Sequence, residues 1–191
     1  MKKTFLAVAV LIIALTGILY FTDMGKNLTA SVLENAPTFV TLHTNRGDVK
    51  IQLLATDAPK LSENFWRLAK DGKYDRTIFH RVIRGFMIQG GDFENSNGTG
   101  GTSYWGELLA DEISPNLSHV RGAVSMANRG PDTNGSQFFI VHEDATFLDG
   151  RHSVFGNVIE GMDVVDKISD SKTDMNDFPL EPILITSVSF E

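Results

Sequence analysis

Apolar and polar residues alternate at period two in "TFVTLHT" (38–44) and in "VKIQLL" (49–54), on either side of "NRGD". Half-buried strands joined by a tight turn give that pattern, so a β-hairpin is expected there. The period then lengthens. In "DAPKLSENFWRLAK" the side chains of Leu61, Phe65, Leu68 and Ala69 share one helical face. Asp57 stands at the N-cap position, Pro59 in the first turn, and Gly72 just past the end. From residue 78 onward short strand patterns return. "FHRVIRGFMIQGGDF" (79–93) reads as two strands broken at Gly85, with Arg81 in phase with Phe79 and Ile83 on an apolar face. "AVSMA", "QFFIV", "SVFGNVI" and "ILITSVSF" follow, separated by glycine-rich loops, and a second helix fits Met162–Ile168. Many short strands with few helices indicate a mainly β domain, a sandwich or a barrel whose open ends two helices could cap. Spacing alone does not choose between them.

One segment shows no such period. "MKKTFLAVAVLIIALTGILYF" carries two lysines and then an uncharged run from Phe5 to Phe21. As a helix that run spans about 25 Å, close to the thickness of a hydrocarbon core. It is longer than the roughly 7–15 apolar residues of a removable signal peptide. The nearest small-residue site, Leu28-Thr29-Ala30, is distant and a poor match. Residues 1–21 are therefore expected to be an uncleaved signal anchor, with a removed signal peptide as the alternative. Lys2 and Lys3 would stay cytoplasmic and the remainder would face outward, a pattern that fits bacterial export. Residues 22–37 read as a polar tether and residues 38–191 as the folded domain.

Composition narrows the chemistry. The chain has 191 residues, 42% of them hydrophobic, enough for one real core. Removing Lys2 and Lys3 from the 17 Lys+Arg leaves 15 against 24 Asp+Glu, a charge near −9 that argues against nucleic acid as a partner. There is no cysteine, which excludes disulfides, thiolate nucleophiles, cysteine metal sites and a lipobox-type lipid anchor. The five histidines, at 43, 80, 119, 142 and 152, show no metal-binding spacing, so no metal or other cofactor is expected.

Several motifs dissolve on inspection. "QGGDFE" (89–94) has the wrong residue order for a nucleotide cyclase. "GTGG" (98–101) lacks the lysine and the strand–loop–helix setting of a phosphate loop. N-x-[ST] matches begin at Asn27, Asn97, Asn116 and Asn134, and Asn134-Gly135 reads better as turn chemistry. Asp149 and His152 in "DGRHSVFG" invite a Ser–His–Asp reading, but no G-x-S-x-G elbow exposes a serine.

Taken together, "FHRVIRGFMIQGGDF", "NGTGG", "SMANRGPDTNGSQFFI" and "FLDGRHSVFG" resemble the cyclophilins, a family of peptidyl-prolyl cis-trans isomerases, in the family's order and spacing. The resemblance runs from about residue 38 to the end. It implies a closed eight-stranded antiparallel β-barrel capped by two helices, with an active groove on its outer surface. It implies an enzyme that accelerates rotation about X–Pro bonds in proline-containing polypeptide clients; with the expected anchor ahead of it, the domain is expected to assist protein folding outside the cytoplasm. Arg81 takes the place of the catalytic arginine. Phe86, Met87, Phe139 and Leu148 correspond to the apolar proline pocket. Gln89, Asn128 and Gln137 correspond to partners of the peptide backbone, Ala127 lines the groove, and His152 sits at the rim.

Two positions stand apart. Many eukaryotic members carry tryptophan where this chain has Phe147. Phenylalanine keeps the apolar wall but lacks the indole donor, so only weak cyclosporin binding is expected. Arg129 matches a position that gates a neighbouring side-chain pocket, with Glu107 expected nearby. A binding module without turnover, or a structural envelope subunit docked through the groove, are the competing readings. The retention of Arg81, Gln89, Asn128, Gln137 and His152 favours the enzyme.

Overall fold

The computed structural model describes residues 37–191. The expected anchor and nearly all of the expected tether lie outside the described residues, as does Asn27. Strands β1 (Phe39–Thr44) and β2 (Gly47–Leu53) form the expected hairpin. Helix α1 (Pro59–Lys70) follows, then β3 (Arg81–Ile83), β4 (Met87–Gly90), β5 (Ala123–Met126) and β6 (Phe138–Val141). A 3-10 turn at Thr146–Leu148, which the sequence pattern does not announce, precedes β7 (Val154–Glu160), helix α2 (Met162–Ser169) and β8 (Ile185–Phe190).

All eight strands pair antiparallel in one curled sheet, in the order β3-β4-β6-β5-β7-β2-β1-β8. The expected closed barrel is therefore corrected to an open one whose end strands are β3 and β8. Among the described residues only an irregular seam crosses the gap, ahead of β3 and at the start of β8. Arg76 N–H donates to Ile185 O, Ile185 N–H to Thr77 O, and Phe79 N–H to Ile183 O, at 2.7, 2.9 and 3.0 Å. The physical reason is that β3 has only three residues and the chain before it turns through a left-handed Arg76 (φ 63°). Past the seam, Val82 N–H is taken by Asp177 O (2.9 Å) instead of by β8.

The inner face of the sheet holds the main core. Leu42, Ile51, Val82, Ile88, Val124, Phe138 and Ile140 are all at most 2% exposed. α1 supplies Phe65, whose ring centroid lies 5.0 to 5.2 Å from those of Tyr74, Phe138 and Phe155. Burial of each such side chain is worth about 1.5–3 kcal/mol, and edge-to-face packing adds to it.

The buried face of α1 contains Leu61, Phe65, Leu68 and Ala69, as the periodicity predicts. Its cap differs. The N-cap is Ala58, which offers no side-chain acceptor, and Asp57 instead accepts from Ser114 Oγ (2.7 Å). The Glu112 carboxylate supplies the missing acceptors, taking Lys60 N–H at 3.1 Å and Leu61 N–H at 2.8 Å. Orphan amides at a helix start need partners, and here a distant loop provides them. Burial raises the Glu112 pKa despite these bonds.

Candidate active site

Strand pairing draws several of the candidate side chains into a row. Arg81 on β3 stands opposite Gln89 on β4, Gln89 opposite Phe139 on β6, and Phe139 opposite Ser125 on β5. Directly opposed residues share a face of the sheet, so all four lie on its outer side. A parallel row holds Ile83, Met87 and Val141. Met87, Phe139, Val141, Ala123, Ala145 and Val154 form a second apolar cluster on this outer face, with Phe86, Ala127 and Leu148 packed against it. Sequence phasing put Arg81 with Phe79 and Ile83. The structure keeps Ile83 on Arg81's side but sends Phe79 to the inner core, because the chain is irregular before β3.

The cluster floors a cavity of about 260 Å³ lined by Arg81, Phe86, Met87, Gln89, Ala127, Asn128, Phe139, Leu148 and His152. The nine residues come from five separate stretches of chain, and each was a sequence-predicted site residue. Phe147 lies at the edge, 64% exposed, with its ring 5.6 Å from that of Phe86. Gln137 is largely buried and committed to the protein. It accepts from Gln89 Nε2 (2.9 Å) and donates to Gly98 O (3.0 Å) and Gly100 O (2.7 Å). The Asn128 side chain is likewise occupied, donating to Arg151 O at 2.9 Å, while its backbone N–H and C=O bond to no other backbone group among the described residues.

Arg81 is half exposed, and its Nε approaches Asp177 Oδ2 at 3.5 Å. Its two Nη groups make no hydrogen bond among the described residues. The guanidinium therefore lines the cavity above its apolar floor with its outer donors free. His152 Nδ1 lies 3.1 Å from Met126 O, and its ring stands edge-on to Phe139 at 5.6 Å. No three His, Asp or Glu side chains converge as metal ligands would among the described residues.

Behind Phe139 sits a polar chain that sequence reasoning did not assemble. His119 stacks on the Phe139 ring (5.9 Å, 15°). Its Nδ1 is 2.7 Å from Asp149 and its Nε2 is 3.0 Å from Ser125 Oγ. Asp149 thus pairs with His119, not with His152. The order Asp–His–Ser is that of a hydrolase triad, but His119 is 1% and Ser125 0% exposed, so no substrate reaches the hydroxyl. Burial holds the His119 pKa below the ordinary range, and hydrogen bonds from Ser118 and His119 hold Asp149 low.

Asp92 is the second residue that sequence reasoning missed. It is fully buried, yet its two oxygens accept backbone N–H groups of Glu94, Asn95, Asn97, Gly98 and Gly100 at 2.8–3.2 Å. Burial pushes its pKa up, but these donors outweigh burial and the net shift is downward. One carboxylate thereby shapes the loop whose carbonyls hold Gln137. Gly98 adopts φ +87°, and a Cβ there would press on the His80 ring at 3.1 Å.

That loop also holds Arg129, whose Nη2 donates to Gly98 O (3.2 Å) and Thr99 O (2.7 Å). Arg129 lines a neighbouring cavity of about 230 Å³ together with Gln89, Leu108, Ala127 and Gln137. Glu107 is exposed and makes no ion pair with Arg129 among the described residues; Leu108 takes the wall position instead.

The matching family model is "Cyclophilin type peptidyl-prolyl cis-trans isomerase/CLD", over residues 39–190. Peptidyl-prolyl cis-trans isomerase 9 of Schizosaccharomyces pombe is 52% identical over 149 residues, 78% of this chain and 24% of that protein. The chain thus spans about a quarter of that relative's length. Peptidyl-prolyl cis-trans isomerase CYP18-1 of Arabidopsis thaliana is 50% identical over 151 residues, 78% of this chain and 94% of the relative. A crystal structure of a cyclophilin-type isomerase of Cryptosporidium parvum superposes with a TM-score of 0.78 at 38% identity, covering 81% of this chain and 98% of that one. The same protein was also solved in the presence of the dipeptide Ala-Pro. These relatives are eukaryotic, so the similarity carries no bacterial assignment. A family model that covers nearly every described residue, and relatives identical at half their aligned positions, show that the chain belongs to the cyclophilin-type peptidyl-prolyl cis-trans isomerases.

Proposed function

We propose that the outer groove accelerates cis–trans rotation about X–Pro bonds in polypeptides, with Arg81 as the catalytic residue. The observation that carries this reading is a guanidinium with free Nη donors in the wall of a cavity of about 260 Å³ whose floor is apolar. An X–Pro amide resists rotation because its nitrogen lone pair is delocalised into the carbonyl, a barrier of about 18–20 kcal/mol. In the twisted transition state the prolyl nitrogen is pyramidal and a better acceptor. A donor placed there binds the transition state more strongly than the ground state, which is the condition for catalysis.

The magnitudes are sufficient. Uncatalysed exchange takes about 10–100 s. A 10⁵-fold acceleration requires about 7 kcal/mol. Charge-assisted hydrogen bonds from two Nη groups contribute roughly 1.5–3 kcal/mol each, and twisting of the bound peptide roughly 1–5 more. Phe86, Met87, Phe139 and Leu148 hold the proline ring. Gln89 and the backbone of Asn128 hold the peptide, Gln137 braces Gln89, and His152 positions without transferring a proton. No cofactor enters the scheme. The similar Cryptosporidium protein solved with Ala-Pro supports a proline peptide as the ligand.

Arg129 biases recognition at a side chain close to the proline, through the 230 Å³ cavity that it lines. Phe147 gives weak cyclosporin binding, which Phe147→Trp should tighten by about 0.5–1.5 kcal/mol, the worth of one hydrogen bond. The uncharged run behind Lys2 and Lys3 supports a membrane-tethered, outward-facing domain that assists folding of exported clients. The activity is tested by NMR exchange spectroscopy on a short Ala-Pro peptide with the full chain. Substoichiometric protein should broaden and exchange the cis and trans signals, and unaltered exchange contradicts the reading. Carbonate extraction and protease access test the location: a soluble form starting after residue 21 contradicts the anchor.

A further inference from the structure

Three cavities meet at Gln89. Two are those of the proline and of Arg129. The third, about 350 Å³, opens on the far side of Arg81. His80 and Arg81 form one wall and Asn97 and Gly98 another, while Asp174 and Asn176 close it from the segment between α2 and β8. That segment is a small lobe. Thr173 bridges Pro179, and Leu180 N–H donates to Lys172 O at 2.9 Å. Asp177 docks the lobe on β3 twice, through its carbonyl to Val82 N–H and through its carboxylate to Arg81 Nε.

The cavity is lined by one cation, Arg81, and one anion, Asp174, and the arginines around the lobe are already paired. Arg81 has a carboxylate partner in Asp177, Arg84 pairs with Asp170 at 3.0 Å, and Arg46 pairs with Glu181 at 2.9 Å. Asp174 has no cationic partner among the described residues. One of its oxygens accepts the turn amides of Asn176 (2.8 Å) and Phe178 (3.0 Å). Lys172, on the same lobe, lines a separate cavity with Arg46 and Lys167. His80 stands in the cavity wall at 5% exposure, with both ring nitrogens buried and without a hydrogen-bond partner among the described residues, so it offers an occupant no polar atom. Burial keeps this imidazole below the ordinary histidine pKa, so it stays neutral and does not repel a cation.

We propose that this third cavity is a subsite for a basic side chain, lysine or arginine, of the same polypeptide whose proline fills the neighbouring pocket. The inference rests on the isomerase reading, since only a chain already seated beside Arg81 passes across it. Asp174 supplies the counter-charge, and Asn97 and Asn176 supply neutral hydrogen-bond partners around it.

The test is a set of Ala-Pro peptides carrying Lys, Gln or Glu at each flanking position in turn, assayed with the full chain. At one position Lys should exceed Gln in kcat/KM by about three-fold, the scale of a partly exposed ion pair, with Glu below both. The preference should shrink in 1 M salt, where the screening length falls to about 3 Å. Asp174→Asn keeps the turn acceptor and should bring the Lys-to-Gln ratio to about one; Asp174→Lys should invert the ranking toward Glu. Equal turnover at every position, or a Lys preference that survives Asp174→Asn, overturns the subsite and leaves the isomerase reading standing. Failure to isomerise any peptide overturns both.

Discussion

Phe138 and Phe139 are neighbours on β6, both at most 4% exposed, yet they belong to different halves of the molecule. Phe138 points inward, its ring meeting those of Phe65, Tyr74 and Phe79 in the aromatic core. Phe139 points outward, backed by His119 and flanked by His152 on the floor of the groove. Inside, the contacts are apolar and local failure means loss of packing. Outside, an apolar floor is framed by ordered polar groups that hold donors in place. The same short strands serve both sides, so a groove with catalytic geometry rests directly on the structure that holds the sheet together.

The comparison can be broken most strongly at the core. Phe138→Ala should cost about 3–5 kcal/mol of unfolding free energy, read by urea titration, with activity per folded molecule nearly unchanged. Phe139→Ala should instead abolish most proline binding, seen as a raised KM. Equal effects of the two variants on stability and on activity would erase the distinction between faces.

Next in size is Asp92, the organiser of the groove's loop. Asp92→Ala leaves five backbone donors without their acceptor and should cost about 2–4 kcal/mol. Its amide exchange should rise in residues 94–101 more than in β1 and β2. Protection lost uniformly across the sheet would contradict a local role.

Acid sharpens the comparison more gently. His80 and His119 have folded pKa values below the ordinary histidine value, and Asp92 and Asp149 below the ordinary carboxylate value. At these four groups the unfolded chain binds protons at a higher pH than the folded one, so they make stability rise with pH, while Glu112, raised by burial, contributes in the opposite direction. Loss should begin below about pH 6.5, as unfolded histidines titrate, and deepen below about pH 4 as Asp92 and Asp149 protonate. All four residues back or frame the groove, so hydrogen exchange there should rise before exchange in the core. Stability that is flat from pH 7 to pH 5 would contradict these assignments.

Much of this fold is legible in the sequence because its elements are short, regular and locally signalled. Period two marks β1 and β2, period 3.6 marks α1, and glycines mark the loops. What escapes is what tertiary closure decides. Glu112 caps α1 from a distant loop, so the nearby Asp57 looked like the cap. The apolar run of β6 hides which of its phenylalanines faces inward, because a strand buried on both faces does not alternate. The seam stays open because the lobe around Asp177, remote in sequence, takes the edge of β3. Within the groove, the family resemblance pointed to the pocket residues. It did not reveal Asp92, His119 with Asp149, or the third cavity. Those depend on buried side chains meeting backbone groups far along the chain, and no local pattern encodes such meetings.

The central claim is that the Arg81 guanidinium lowers the barrier by hydrogen bonding to a twisted amide. Its most direct test measures kcat/KM from pH 6 to pH 8 for the wild type, Arg81→Ala and Arg81→Lys, beside each protein's Tm. Arg81 is half exposed, so Tm should hardly move. Arg81→Ala should lose on the order of 10²–10⁴-fold in kcat/KM, the worth of two charge-assisted hydrogen bonds, and Arg81→Lys should not restore it, because an ammonium lacks the planar fork of the guanidinium. The wild-type profile should be flat, since no proton is transferred. Full activity in Arg81→Ala, or a steep pH dependence that disappears in His152→Gln, would contradict the account and move the chemistry to His152.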